Sequence, residues 1–197
     1  MQLLSFLNSA GFDCKKASTP TEQTICSDKS LSLLDDALSM SYDYVINGYK
    51  FGYPIYDEAE IETIKKALKK EQRAFIKNRE ECKNNIYCIR EKTNKQIEVL
   101  NKKSKCDHHG CFNILGASNV LKDRSVMEDA YLKLYKTLTF KGREKLKIEQ
   151  EIFEKDIEKK WNQNIENSIC GSDRTLCYAD ESQMLQDRTK YLQDALK

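Results

Sequence analysis

Apolar residues recur along most of this chain at intervals of three and four, the period of an amphipathic helix. Leu31, Leu34, Leu38, Tyr42 and Val45 form the first long stripe. It ends in the Gly48 to Pro54 stretch, which reads as a loop rich in aromatic rings. Ahead of it, Thr19-Pro20-Thr21-Glu22 has the form of a capping box with proline at the first helical position. The short helix that it opens carries Cys26 in its last turn, within reach of Cys14. Ile61, Ile64, Leu68, Phe75 and Ile76 predict a helix that runs to Cys82. After a tight Cys82–Cys88 hairpin, Ile86, Ile89, Thr93, Ile97 and Leu100 predict another. So short a connection predicts that this helix packs back antiparallel on the one before it.

The pattern then recurs. Val126, Ala130, Leu134 and Leu138 make a second long stripe, and Lys141-Gly142 reads as a turn. Ile148, Ile152, Ile157, Trp161 and Ile165 lead to Cys170, and Cys170–Cys177 closes a second hairpin. Met184, Leu185, Tyr191, Leu192 and Leu196 give the last helix. Leu34-Asp35 with Leu38 and Tyr42 corresponds to Met127-Glu128 with Tyr131 and Tyr135. Glu71-Gln72 followed by Phe75 corresponds to Glu149-Gln150 followed by Phe153, although Trp161 lies nearer its cysteine. A repeat of about 90 residues predicts two homologous modules, residues 1–103 and 104–197, divided around Asn101 to Lys105. The expected fold is all-α: two tandem, disulfide-stapled helical-hairpin or three-helix modules.

Composition agrees with helices. Gly 7 and Pro 2 in 197 residues leave few turn-makers for a sandwich or barrel of short strands. With 33 basic and 31 acidic residues the net charge is +2, so no uniform field points to nucleic acid or anionic lipid. No run approaches the roughly 18 apolar residues of a membrane span.

The cysteines set the compartment. Cys14, Cys26, Cys82, Cys88, Cys106, Cys111, Cys170 and Cys177 fall into four close pairs. Disulfides persist in oxidising spaces, so the pairing predicts a periplasmic, secreted or cell-envelope protein. Eight reduced thiols in a cytosolic protein would have no reason to pair off. Met1 to Ala10 contains Leu3, Leu4, Phe6 and Leu7, but it lacks a basic n-region and its core is too short for a signal peptide. The expectation is a mature or trimmed chain behind a start methionine.

One string of residues resembles a known family. Phe12-Asp13-Cys14, Ala17-Ser18-Thr19-Pro20, Glu22, Ile25-Cys26-Ser27-Asp28, Leu34-Asp35 and Tyr42 come first. Glu71-Gln72-Arg73-Ala74-Phe75, Arg79, Cys82 and Cys88-Ile89-Arg90 complete it. Over residues 12 to 100 this resembles the LprI-type lysozyme inhibitor domain, which usually has tryptophan where Phe75 stands. The second module resembles it only loosely: the Ala-Ser-Thr-Pro-x-Glu signature is missing and Cys106-Asp107-His108-His109-Gly110-Cys111 replaces the first cysteine segment. The resemblance implies small, exported, disulfide-bonded, non-enzymatic helical domains, some of which bind and block lysozyme.

Residue by residue, structural roles come first. Asp35, Glu71, Arg73 and Arg79 predict a carboxylate–guanidinium network between helices, with a partner surface as the alternative. The segment Cys106 to Cys111 holds both histidines. Two thiolates with His108 and His109 are chemically able to bind zinc or copper. Four ligands within six residues surround one ion poorly, however, and an oxidised pair removes both thiolates. A disulfide loop displaying two histidines is the preferred reading, and no cofactor is expected.

Nothing points to an enzyme: there is no Gly-x-Ser-x-Gly, phosphate loop or His-Glu-x-x-His. The expected function is a protein partner's inhibition, foremost of a lysozyme-like glycosidase by occluding its cleft. An immunity or accessory protein that neutralises a bacterial effector or toxin is the alternative. A structural envelope protein is a third. The candidate contact residues are Tyr49, Phe51, Tyr53, Tyr56 and Asp57 in one loop, and Tyr87 in the hairpin Lys83 to Tyr87. Charge is unevenly spread: residues 1–56 carry −2 (4 basic, 6 acidic) and 57–103 carry +4 (13 basic, 9 acidic). A basic lysozyme is therefore attracted only by the N-terminal part.

Overall fold

Helix starts are written into the sequence as side-chain caps, and the computed structural model, which describes residues 11–51, 55–104, 109–170 and 174–197, follows them. A short 3₁₀ turn at Cys14–Lys16 leads to α1 (Pro20–Ser27). Thr19 and Glu22 form the reciprocal box, with the Thr19 hydroxyl accepting from the Glu22 N–H at 3.1 Å and the Glu22 carboxylate from the Thr19 N–H at 3.0 Å. The Ser18 N–H, and after it the Thr19 N–H, donate to this carboxylate and hold the Glu22 carboxyl below its usual range. Asp28 accepts from the Leu31 N–H and so opens α2 (Lys29–Phe51). A second box, Asp57 with Glu60, opens α3 (Glu58–Glu80). Asn85 caps α4 (Ile86–Lys103) and Thr139 caps α6 (Phe140–Glu166). The remaining helices are α5 (His109–Thr137) and α7 (Thr175–Asp194). Among the described residues there is no strand, and no helix is long and apolar enough to cross a membrane.

Two turn expectations shift. Gly48 is buried inside α2, which continues to Phe51. Glycine weakens a helix by about 1 kcal/mol, and burial of Tyr44 and Val45 on the preceding turn outweighs it. Lys141 and Gly142 belong to the first turn of α6, since the chain reverses one step earlier, at Leu138 and Thr139.

The bundle is built around α2 and α5, which lie antiparallel and close. Their seam is made of small residues. Ser118 donates to the Ala37 carbonyl at 2.9 Å, and Ser125 to the Ser30 carbonyl at 2.6 Å. Rising numbers on α2 meet falling numbers on α5, which fixes the antiparallel sense. α4 packs along α2, and α7 along α5. Gly116 permits the latter approach, because a Cβ there would stand 2.7 Å from the Tyr178 ring. By contrast, α3 and α6 stand further off and reach the core through long side chains such as Phe75 and Phe153. The apolar interior falls into three clusters. One lies among α2, α3 and α4 (Leu34, Leu38, Val45, Leu68, Ile97, Leu100), another among α5, α6 and α7 (Met127, Leu134, Leu146, Ile157, Leu185, Leu192). The third surrounds the first hairpin (Ile25, Leu31, Cys82, Ile89). Leu121 of α5 packs into the α2–α4 cluster, so the halves of the chain share an interior boundary.

Three disulfides are described: Cys14–Cys26, Cys82–Cys88 and Cys170–Cys177, with Cα separations of 5.7, 5.6 and 5.9 Å. Each closes a short loop at a helix end. The Cys82–Cys88 hairpin lies beside α1, at the start of α2. The Cys170–Cys177 hairpin lies at the start of α5, where the Arg174 N–H donates to Asn113 at 2.7 Å. Because α2 and α5 are antiparallel, the two hairpins close opposite ends of the bundle.

Candidate functional site

Five residues between Cys82 and Cys88 form an exposed turn braced from two sides; Ser168, ahead of the Cys170–Cys177 hairpin, is the other non-glycine residue with a left-handed φ, 57°, among the described residues. α3 ends as Lys83 enters the left-handed region, with φ 52°. For a residue with a Cβ that conformation costs roughly 1–2 kcal/mol, so the surroundings have to enforce it. Two braces do so. The disulfide closes the turn from below. From the side, the buried Thr21 hydroxyl of α1 lies 3.0 Å from the Lys83 carbonyl and 3.4 Å from that of Glu80. Beneath them Ile25, Leu31 and Ile89 are each 1% exposed, so the hairpin rests on a closed apolar base. Asn85 then accepts from the Cys88 N–H at 3.0 Å and starts α4.

What the turn presents follows from its sequence. Lys83, Asn84 and Asn85 are exposed, Ile86 is 42% exposed and Tyr87 75%. A cation, two amides and a ring thus stand on a frame with little conformational freedom left to lose. A turn of this kind has little ordering cost left to meet on contact, and an exposed ring is the type of group that anchors interfaces.

The other contact candidates sit elsewhere. Tyr49 is half-buried against the α2–α4 cluster and meets Tyr56 edge-to-face, ring centroids 5.5 Å apart. Asp57 is engaged as the cap of α3. Tyr53 and the Phe51 side chain lie outside the described residues. This loop follows the end of α2, about 30 Å along that helix from the hairpin bearing Tyr87, so the two candidate patches are separate surfaces.

Of the expected network, Asp35 and Arg79 meet. Arg79 Nη1 donates to Asp35 Oδ1 at 2.5 Å, with both side chains some 95% buried (5% and 6% exposed). The guanidinium also lies over the Phe75 ring, 5.2 Å from its centroid. Glu71 and Arg73 are not part of it: Glu71 is exposed and pairs with Lys103, while Arg73 has no ion pair among the described residues. The reason is helical geometry: Arg73 lies about 120° round α3 from Arg79, and Glu71 lies about 80° to the other side, toward Lys103 of α4. Asp36, the neighbour of Asp35, is pushed up to about 7, first by burial and then by the Asp35 charge.

Cys106 and His108 lie outside the described residues, as do the side chains of His109 and Cys111, so the histidine loop carries no geometry here.

No protein-family model, curated protein or solved structure matches this chain.

Two residues of the first half, Arg90 and Thr21, have positions that sequence alone left unassigned. Arg90 stands where three helices meet, donating to Ser30 Oγ at 2.5 Å, Ser125 Oγ at 3.2 Å and Asp129 at 3.3 Å. Pro20 and Glu22 set the start of α1 so that Thr21 faces the hairpin. The inward turn of Thr21 had no periodic signal, because α1 is only 8 residues long. In the second half, Arg124 bridges Glu154 of α6 and Glu181 of α7 at 3.0 and 2.7 Å, an ion cluster with no counterpart among the motifs.

Proposed function

We propose that this chain is an exported, non-enzymatic binding protein of two tandem helical modules that engages its partner with the Cys82–Cys88 hairpin. The observation that carries the reading is Lys83: an exposed cation held in a left-handed conformation by the Thr21 hydroxyl and a disulfide. Conformations of that kind persist where the surroundings over-determine them, and binding loops are such places. The tandem reading draws on the order long helix, long helix, cysteine hairpin, helix, found in α2–α4 and again in α5–α7.

A lysozyme-like glycosidase is the partner class that the LprI resemblance favours, and the hairpin's chemistry suits it. Glycosidases carry two carboxylates flanking the scissile bond. Lys83, with the Asn84 and Asn85 amides, offers the cation and donors that such a cleft pairs with, and the exposed Tyr87 offers a ring for the cleft to bury. The test is a titration of purified protein against peptidoglycan hydrolysis by an animal-type lysozyme. Loss of activity that saturates near one equivalent supports the reading, and full activity at large excess refutes it for that enzyme.

A second reading, an immunity or accessory protein for a bacterial effector, draws on charge. Residues 83–87 contain no acid and residues 57–103 carry +4 (13 basic, 9 acidic), which favours an acidic partner over a basic one. It predicts tight binding to an acidic effector with lysozyme unaffected.

A further inference from the structure

Lys66, Lys69, Lys70, Arg73 and Lys77 share one face of α3, spaced by three, four and seven residues over about 16 Å. All five are exposed, and none has an ion-pair partner among the described residues. At 100° per residue their stripe lies directly opposite Leu68, Phe75 and Arg79, which face the core, so it points straight outward. No acidic residue occupies that face between Glu62 and Glu80.

Ordinary helix electrostatics accounts for only part of it: Glu62, one turn earlier, interacts with Lys66 and Lys69 but not with Lys70, Arg73 or Lys77. Acidic residues in the first turn (Glu58, Glu60) and Lys77 in the last suit the helix dipole, whose influence fades within a turn. Lys66, Lys69, Lys70 and Arg73 lie between. Their i,i+4 pairs, 66 with 70 and 69 with 73, are like-charged and destabilise the helix. α6, the other long outer helix, shows the usual alternative: Glu144 with Lys147 and Lys145 with Glu149 compensate each other.

We propose that this stripe seats the protein on an anionic membrane surface, with α3 lying along the headgroups. Several features favour a bilayer over an acidic protein or a nucleic acid. Four of the five cations are lysines, which act as point charges toward a diffuse surface, where arginine forks would suit paired carboxylates. The stripe contains no aromatic ring to anchor a protein hot spot or stack a base. It is straight, and it lies on an outer helix of the bundle. The Cys82–Cys88 hairpin follows α3 directly, so a seated protein keeps its binding turn at the end of the docked helix. This inference does not depend on the identity of the hairpin's partner.

The experiment is co-sedimentation with vesicles of about one-third phosphatidylglycerol in phosphatidylcholine, and with pure phosphatidylcholine, at low and high salt. The wild type is expected to sediment with the anionic vesicles at low salt only. Each cation near such a surface is worth roughly fivefold in partitioning, so Lys66→Gln/Lys70→Gln/Arg73→Gln is expected to lose about 100-fold. Lys155→Gln/Lys159→Gln on α6 serves as a control of equal kind and is expected to bind as wild type does. Equal binding to neutral vesicles, an unchanged triple variant, or displacement from the vesicles by polyglutamate or duplex DNA at matched charge would each overturn the proposal.

Discussion

Ser41 of α2 donates its hydroxyl proton to Ser118 of α5 at 2.9 Å, at a point where both side chains are fully buried. The direction follows from proton count: the one Ser118 proton goes to the Ala37 carbonyl at 2.9 Å, which leaves Ser118 Oγ as the acceptor. Two polar side chains thus let the central helices approach closely while every hydroxyl is satisfied. Ser118→Leu forces a large side chain into that contact. It is expected to cost about 3 kcal/mol or more, against about 1 kcal/mol for Ser118→Ala, both read from urea unfolding.

The Asp35–Arg79 pair has a different signature. Removing one buried partner strands the other, so Asp35→Ala is expected to cost about 3–5 kcal/mol. Asp35→Leu/Arg79→Met, which removes both charges, is expected to recover most of that loss. Equal losses in the single and double variants would show that the charges are not the cause.

At Lys83, stability and binding are expected to part. Lys83→Gly relieves the left-handed strain and should stabilise the fold by about 1 kcal/mol, a rise of roughly 2–4 °C in Tm for a chain of this size. The same change removes the exposed cation, so partner affinity is expected to fall. A thermal melt and a binding isotherm on one sample check both.

Asp36 predicts a pH dependence. Burial, and then the Asp35 charge, push its folded-state pKa up from the ordinary aspartate range to about 7, so the folded protein binds this proton more tightly than the unfolded chain does. Its contribution is therefore fully present below about pH 4 and is lost as pH rises through 7. Asp36→Asn is expected to flatten that window and to stabilise the protein at pH 8. After allowance for solvent screening of a half-exposed group, the gain is on the order of 1 kcal/mol. Urea midpoints at pH 5 and pH 8 decide it.

Much of this was legible in the chain. The capping box at Thr19, the stripes of α2, α3 and α4, and three of the cysteine pairs follow from spacing alone, because each is a local pattern. The seam was not. Ser30, Ser41, Ser118 and Ser125 look like solvent-facing positions in a periodic reading, and only a second helix at close range makes them interior. Partner choice was hidden for a similar reason. With 31 acidic residues, spacing does not say that Arg124 takes Glu154 and Glu181, or that Glu71 takes Lys103 of α4. In the Cys82–Cys88 hairpin, Tyr87 was readable as a ring between cysteines. The braced backbone of Lys83 was not, since it depends on Thr21, 62 residues away.

The central claim is that the Cys82–Cys88 hairpin makes the contact with the partner. The most direct measurement is inhibition of lysozyme by the wild type, Tyr87→Ala and Lys83→Ala, in parallel with Tyr49→Ala and Tyr56→Ala. The account predicts that wild type inhibits and that the hairpin variants lose about 30-fold or more in potency, the scale of a 2 kcal/mol hot spot. The Tyr49 and Tyr56 variants should inhibit normally once folded. An uninhibited enzyme, or hairpin variants as potent as wild type, would contradict it.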